Sequence, residues 1–492
     1  MCGIIGITSK NPVAAELYES LMNLQHRGQD STGIATYNGR FHVVRGKGYV
    51  REAYTEESFK ELIGNLGVAQ TRYSTAGSST DIQNAQPFLT NSPYGISLVH
   101  NGNLTNYKQL RKELKENSNF HCNSDSDTEA LLGVFATELA NTPKSSDFFE
   151  MLCQSMSKVF KRVRGGYSVA GVIAEKGMYA FRDSHGLRPL VIGKRARENE
   201  DGFDYIFASE NTPFASLGFE YVGDVAPGEI IFVNGDGVLR RKKITNEIFA
   251  PDVFEYIYFA RPDAILNQVS VYRSRLRMGQ NLGIRWKEKY PNIVPDLVVP
   301  VPFTSNPIAL AMAHEIGVRY SEALYRNVFI GRTFLEPGTK ARAKSVRRKL
   351  SPQTIEIEGK DILLVDDSIV RGTTSREVVQ MLRDAGAKNV YFASACPPLK
   401  YPDFYGIDIP TKEELIASRM SEEEIRKFIG ADVLLYQTIE DLSEAVLRKG
   451  DHGIDRLSMP YLDGWYAPGD IDENHMEQVK KARTDERTEI AM

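Results

Sequence analysis

The segment Ile362-Leu363-Leu364-Val365-Asp366-Asp367-Ser368-Ile369-Val370-Arg371-Gly372-Thr373-Thr374-Ser375 constrains the fold more than any other stretch. Its apolar run, Ile362 to Val365, reads as a buried strand. It ends in two adjacent carboxylates. A loop rich in hydroxyls, with Gly372, then opens a helix from about Thr374 to Ala385. A second strand follows from Val390 to Ala395, and an earlier one, Leu297 to Val301, precedes a helix through His314. Strand, loop, helix, strand is the rhythm of a parallel sheet, whose ligands bind at the carboxyl ends of the strands. A helix start favours phosphate through its free N–H groups and dipole. Gly372 lets the backbone approach a ligand closely. Asp366 and Asp367 can accept hydrogen bonds from vicinal sugar hydroxyls or hold Mg²⁺. There is no GxxxxGK[ST], so the loop is not of the Walker type. A capped strand–turn–helix without a ligand would not need this density of glycine and hydroxyl.

The first half of the chain reads differently. Gly3 to Thr8 is a short strand, and Pro12 to Gln25 carries Leu17, Leu21 and Leu24 at helical spacing. Ile34 to Tyr37 and Phe41 to Val44 flank Asn38-Gly39, a hairpin signal. Leu66 to Gln70 and Ile96 to His100 read as buried strands that end in loops. Phe148 to Val163 is a helix. Val169 to Ala174 and Met178 to Phe181 flank a turn, and Ile230 to Asn234 runs into another. This pattern predicts a layered α/β or α+β domain. The boundary is expected between Asn234 and Phe254, giving domains over 2–235 and 250–469. Residues 470–492 read as a charged, solvated helix or tail.

Composition limits the function classes. The 492 residues hold 60 basic and 64 acidic side chains, a net charge of −4 that gives no global field for nucleic acid. No apolar run of about 18 residues suggests a membrane helix, and no signal peptide is visible at the N-terminus. Cys2, Cys122, Cys153 and Cys396 are the only cysteines and form no CxxC pair, which argues against a disulfide framework or a structural zinc site. A reducing, cytoplasmic location is the economical expectation.

Cys2 follows Met1 directly. If Met1 is removed, the Cys2 thiol shares a residue with a free α-amine of pKa about 7.7–8.0. Nucleophile and base are then supplied together. Cys2-Gly3-Ile4-Ile5-Gly6, Gln25-His26-Arg27-Gly28-Gln29-Asp30, Thr71-Arg72-Tyr73-Ser74-Thr75-Ala76-Gly77, His100-Asn101-Gly102 and Ser126-Asp127-Thr128-Glu129 follow in that order. This set resembles the class II glutamine amidotransferase domain, an N-terminal-nucleophile hydrolase. The resemblance implies an αββα sandwich. It implies that Cys2 attacks the glutamine amide and that the Asn101 side chain and the Gly102 N–H hold the oxyanion. It assigns the glutamine α-carboxylate to Arg72 and the ammonium to Asp127, with Gly102 part of the same pocket. Taken singly, Asn101-Gly102 reads as a turn, Asp127 as a helix cap and Arg72 as an ion pair. Gln70 and Ser74 depart from residues common in relatives.

The Val365-to-Ser375 segment resembles the phosphoribosyl-pyrophosphate motif of type I phosphoribosyltransferases. That resemblance assigns phosphoribosyl pyrophosphate to Asp366, Asp367, Ser368, Arg371, Gly372, Thr373, Thr374 and Ser375. Val299-Pro300-Val301-Pro302-Phe303-Thr304-Ser305 looks like a second loop of that site, which makes Thr304, Asp366 and Asp367 the expected Mg²⁺ contacts. Phe303 stands where an acidic residue is common. Arg326 to Leu350, with Arg332, Lys340, Arg342, Lys344, Arg347, Arg348 and Lys349, reads as a cationic loop able to close over pyrophosphate.

Together the halves resemble the glutamine phosphoribosylpyrophosphate amidotransferase family. The resemblance implies the first committed step of purine synthesis, a homotetramer and purine nucleotides as feedback inhibitors, while the charge balance and the lack of a long apolar run lead us to expect no nucleic-acid or membrane partner. It makes Tyr73 and Tyr258 candidates for an ammonia path, although Tyr258 reads equally as a core aromatic. Cys2 is committed to chemistry and a Cys₄ cluster needs four thiolates, so no iron–sulfur cluster is expected. Two alternatives remain open to the sequence: another amidotransferase carrying sugar-isomerase domains, and a non-catalytic regulator on a phosphoribosyltransferase fold.

Overall fold

Alternation along Gly3–Thr8 explains how the first half is layered. Ile4 faces inward between two sheets, while Ile5 and Ile7 face outward onto Leu17 and Leu21 of the helix Ala14–Asn23. In the computed structural model, which describes residues 1–73, 81–198, 201–328, 346–407, 409, 411–448, 450 and 452–481, Gly3–Thr8 lies within a seven-stranded antiparallel sheet. Its order is Glu220–Asp224, Val191–Ala196, Phe203–Ala208, Gly3–Thr8, Leu66–Arg72, Ser31–Tyr37, Phe41–Lys47. A six-stranded antiparallel sheet stacks on it in the order Leu239–Lys243, Glu229–Asn234, Gly177–Arg182, Gly165–Ile173, Ile96–Leu104, Phe88–Thr90. Val68, Val99, Ala170, Phe207 and Ile231 fill the space between them. The helices Tyr107–Ser118, Asp127–Ala140 and Phe148–Arg162 cover the outer face of the second sheet. The order helix, sheet, sheet, helix is the expected αββα sandwich. Asn38-Gly39 begins the connection between Ser31–Tyr37 and Phe41–Lys47, with Gly39 at φ +71°.

The second half contains a five-stranded parallel sheet in the order Arg319–Tyr320, Leu297–Pro300, Asp361–Asp366, Asn389–Ser394, Val433–Tyr436. The helices Val271–Lys289, Asn306–Ile316 and Thr373–Asp384 pack around it. One apolar cluster joins the halves: Ile5, Leu17 and Phe214 belong to the same buried group as Phe254, Trp286, Val298 and Leu363.

Three expectations are corrected. The Ile96 strand does not stop at His100; it continues to Leu104, so Asn101 and Gly102 pair with Ser168 and Tyr167 inside the sheet. Residues 470–481 are not simply solvated. Ile471, Met476 and Val479 pack on Leu187, Phe404, Tyr405 and Tyr466, and Asp470 accepts from Thr105 Oγ1 at 2.5 Å and Tyr405 OH at 2.6 Å. Tyr258 is not a core aromatic, being 48% exposed. Residues 482–492, and Arg332, Lys340, Arg342 and Lys344 of the cationic loop, lie outside the described residues.

Candidate active sites

Cys2 sits just before the central strand, buried, beside the end of Leu66–Arg72, where Gly3 pairs with Thr71. Its Sγ lies 3.5 Å from the Tyr73 carbonyl, and its N–H donates to Asn101 Oδ1 at 3.1 Å. The Asn101 Nδ2 is buried and has no hydrogen-bond partner among the described residues. An unpaired buried donor costs about 1–3 kcal/mol, a cost that is recovered if an oxyanion arrives there. Gly102 has φ +142°, and a Cβ at that position would lie 2.0 Å from the Gly166 carbonyl oxygen. Only glycine fits. The sheet thus holds the two predicted oxyanion donors in a strand that a dipeptide-level reading makes a turn.

Arg72 is the last residue of its strand and is buried. Asp127 opens the helix Asp127–Ala140, but Ser126 supplies the cap, its Oγ accepting from Thr128 N–H. Asp127 Oδ2 instead accepts from Leu104 N–H at 3.0 Å, which ties it to the oxyanion strand. His100 Nδ1 lies 3.1 Å from Thr128 Oγ1. Burial lowers the His100 pKa against the opposing charge of Asp127.

Arg27, whose role is not legible in its motif, donates through Nε to the Cys2 carbonyl at 2.9 Å. Its guanidinium also bonds Glu210 Oε1 at 2.6 Å and Glu255 at 2.8 and 2.9 Å. Burial pushes the Glu210 carboxyl up, but His26 and Arg27 outweigh it and hold the pKa at about 2. Partners 183 and 228 positions apart leave no local signal. Met1 is enclosed beside this cluster, with Arg188 Nη1 3.1 Å from its Sδ. Burial lowers the Met1 amine to about 5.

The second site lies at the carboxyl end of Asp361–Asp366. Asp366 is buried and Asp367 half-buried; Asp367 N–H donates to Asp366 Oδ1 at 2.9 Å and Ser368 Oγ to Asp367 Oδ1 at 2.7 Å. Burial, then the neighbouring Asp367, raises the Asp366 pKa well above the carboxylate range; burial raises Asp367 despite Arg275. Gly372, at φ +73°, precedes the helix Thr373–Asp384, so Thr373, Thr374 and Ser375 form its first turn. The Thr304 turn follows Leu297–Pro300, the parallel neighbour of Asp361–Asp366, and Val301 N–H donates to the Val365 carbonyl at 2.8 Å. The structure therefore brings Thr304 to the same sheet edge as the two aspartates. Arg371 is turned onto Glu414, its Nε donating at 2.8 Å. Arg347 pairs with Asp384 at 3.0 Å and Glu377 at 3.3 Å on the helix behind the site.

The donor set suits Mg²⁺. Its atoms are the carboxylate oxygens of Asp366 and Asp367 and the hydroxyl oxygen of Thr304. Mg²⁺ keeps waters and binds through one or two carboxylates plus substrate phosphates, so a sparse oxygen site fits it.

Arg275 joins this site to the connection between the halves. It is buried, and its Nε and Nη2 donate to the Tyr256 and Ala260 carbonyls at 3.0 and 2.8 Å. These carbonyls bracket Tyr258, whose ring meets Phe254 and Phe259 at 6.1 and 5.3 Å.

A glutamine amidotransferase domain model matches residues 71–216 and a phosphoribosyl transferase domain model residues 284–406. Amidophosphoribosyltransferases from Pseudomonas aeruginosa and Escherichia coli are 45% and 43% identical, each over 99% of this chain and 96% of the relative. The chain belongs to the amidophosphoribosyltransferase family. The yeast Saccharomyces cerevisiae amidophosphoribosyltransferase is 41% identical over 98% of this chain and 95% of its own. The solved glutamine phosphoribosylpyrophosphate amidotransferase of B. subtilis, complexed with ADP and GMP, superposes with a TM-score of 0.82 at 34% identity, over 94% of this chain and 97% of that one. The phosphoribosyl transferase match in the second half removes the sugar-isomerase alternative. An amidophosphoribosyltransferase is a transferase, which removes the non-catalytic alternative as well.

Proposed function

We propose that this chain makes 5-phosphoribosylamine, pyrophosphate and glutamate from glutamine and 5-phosphoribosyl 1-pyrophosphate, at the two sites above. With Met1 removed, the Cys2 amine takes the thiol proton and the thiolate attacks the amide carbon. Asn101 Nδ2 and the Gly102 N–H receive the oxyanion. As the tetrahedral intermediate collapses the C–N bond breaks, the leaving nitrogen takes the proton held by the Cys2 amine and departs as neutral ammonia, and a thioester remains. Water hydrolyses it to glutamate and frees the thiol. Arg72 forks onto the substrate carboxylate and Asp127 accepts from its ammonium. Ammonia then attacks C1 of the ribose and pyrophosphate leaves.

At that second site Asp366 and Asp367 accept from the ribose hydroxyls, and the Ser368-to-Ser375 turn cradles phosphate. Thr304, Asp366 and Asp367 would hold Mg²⁺, which when bound neutralises pyrophosphate charge. Arg371, paired with Glu414, positions the loop. Tyr73 and Tyr258 line the ammonia path. Purine nucleotides inhibit a cytoplasmic homotetramer, without an iron–sulfur cluster and without nucleic acid or membrane as partner. No helix among the described residues is long and apolar enough to cross a membrane.

The observation that carries this reading is the buried, unpartnered Asn101 Nδ2 on the residue whose Oδ1 holds Cys2. The test is Cys2→Ser assayed with each nitrogen source. Glutamine-dependent synthesis is expected to fall at least a thousandfold, with ammonia-dependent synthesis kept within about threefold. Loss of both would refute separate sites.

A further inference from the structure

Behind the oxyanion strand stands a turn from the other half of the chain. Asp403 builds it, its Oδ2 accepting from Tyr405 and Ile407 N–H at 2.9 and 2.8 Å. The turn brings Gly406, at φ +115°, against Gly102: a Cβ on Gly406 would lie 3.2 to 3.4 Å from the Gly102 C, Cα and O. Two glycine backbones touch here with no side chain between them. Two hydrogen bonds fix the contact. Asn103 Nδ2 donates to the Phe404 carbonyl at 2.8 Å, and Arg188 Nε to the Tyr405 carbonyl at 2.8 Å. The turn also leads back to the other site. The chain entering it leaves Asn389–Ser394 with Ala395 and Cys396 N–H bonded to the Asp366 and Asp367 carbonyls at 3.0 and 2.8 Å.

We propose that the Asp403–Ile407 turn sets the position of the oxyanion donors, with Asn103 and Gly406 as positioning residues for glutamine hydrolysis. Oxyanion donors act only when held within a few tenths of an ångström of their working distance. Gly102 has no side chain to pack, so its peptide is held by the sheet on one side and by Gly406 on the other. Asn103 and Gly406 act through the Phe404 carbonyl and the Gly102 backbone, so the turn stabilises the transition state rather than the bound substrate. The inference rests on the assignment of Asn101 and Gly102 as oxyanion donors.

The test compares Asn103→Ala, Asn103→Asp and Gly406→Ala with Asn101→Ala in the full-length enzyme. Glutamate formation and ammonia-dependent phosphoribosylamine synthesis are both measured. Asn103→Ala is expected to lower the glutaminase kcat about 10-fold and leave the glutamine KM within about twofold. Ammonia-dependent synthesis stays within about twofold. Asn103→Asp, which sets a carboxylate against the Phe404 carbonyl, falls at least as far. Gly406→Ala falls about 100-fold; if it does not fold, the Asn103 pair decides. An unchanged kcat, a change in KM alone, or equal loss of both routes in Asn103→Ala overturns the proposal. Full glutamine turnover in Asn101→Ala would instead overturn the oxyanion assignment. A loss in Asn101→Ala alone would leave that assignment standing and remove the turn.

Discussion

Cys2 is held from behind. Arg27 grips its carbonyl, and Glu210 and Glu255 hold Arg27 in place. The Glu210 carboxyl, held from 4.5 down to about 2, contributes about 3 kcal/mol of stability at neutral pH. Its folded pKa is depressed, so this contribution is present above about 4.5 and is lost as pH falls through about 2. Glu210→Gln is therefore expected to lower stability at pH 7 by about 3 kcal/mol, with the gap to the parent closing between pH 4.5 and 2. Denaturant titrations at several pH values read this directly, and a gap independent of pH would refute it. Arg27 stands in the Gln25-to-Asp30 motif, but nothing near it in sequence marks Glu210 or Glu255 as its partners. Short motifs announce side chains that meet substrate; the charges that fix them come from distant strands and stay silent until the chain is folded.

The Asn101-Gly102 pair shows how an element overrides a dipeptide. Its local preference is for a turn, but pairing with Ser168 and Tyr167 keeps it in the sheet. The strands, helices and parallel rhythm of the second half were legible because their apolar periodicities are long. The polar end of the chain misled because three apolar side chains, Ile471, Met476 and Val479, are diluted among charges. That segment braces Phe404 and Tyr405, and hence the turn behind Gly102. Replacing Met476 and Val479 with Asp is expected to cost about 1–3 kcal/mol. Glutamine-dependent activity should fall more than ammonia-dependent activity. Thermal melts and paired assays check both parts; equal losses would separate the segment from the glutaminase. Tyr258, exposed on the Glu255–Phe259 turn, belongs to the same scale. Tyr258→Ala is expected to raise the ratio of glutamate to phosphoribosylamine above about one; a ratio near one would remove it from the ammonia path.

At the scale of the whole molecule one buried apolar cluster runs through both catalytic halves, from Leu17 and Phe214 to Trp286 and Leu363. Heat is therefore expected to melt it in a single calorimetric transition, with agreement between the calorimetric and van't Hoff enthalpies if unfolding is reversible. Two resolved peaks would show separable halves. The family's two domain models suggest interchangeable parts, and the shared interior argues against that. A chain cut between Lys243 and Ala250 would leave two fragments, each missing one wall of the cluster they share. Peptide linkage now supplies an effective concentration on the order of millimolar. Severed fragments at micromolar levels would have to find each other before that shared cluster could close. The unbroken chain is thus a kinetic device: it lets a protein with two chemistries fold once.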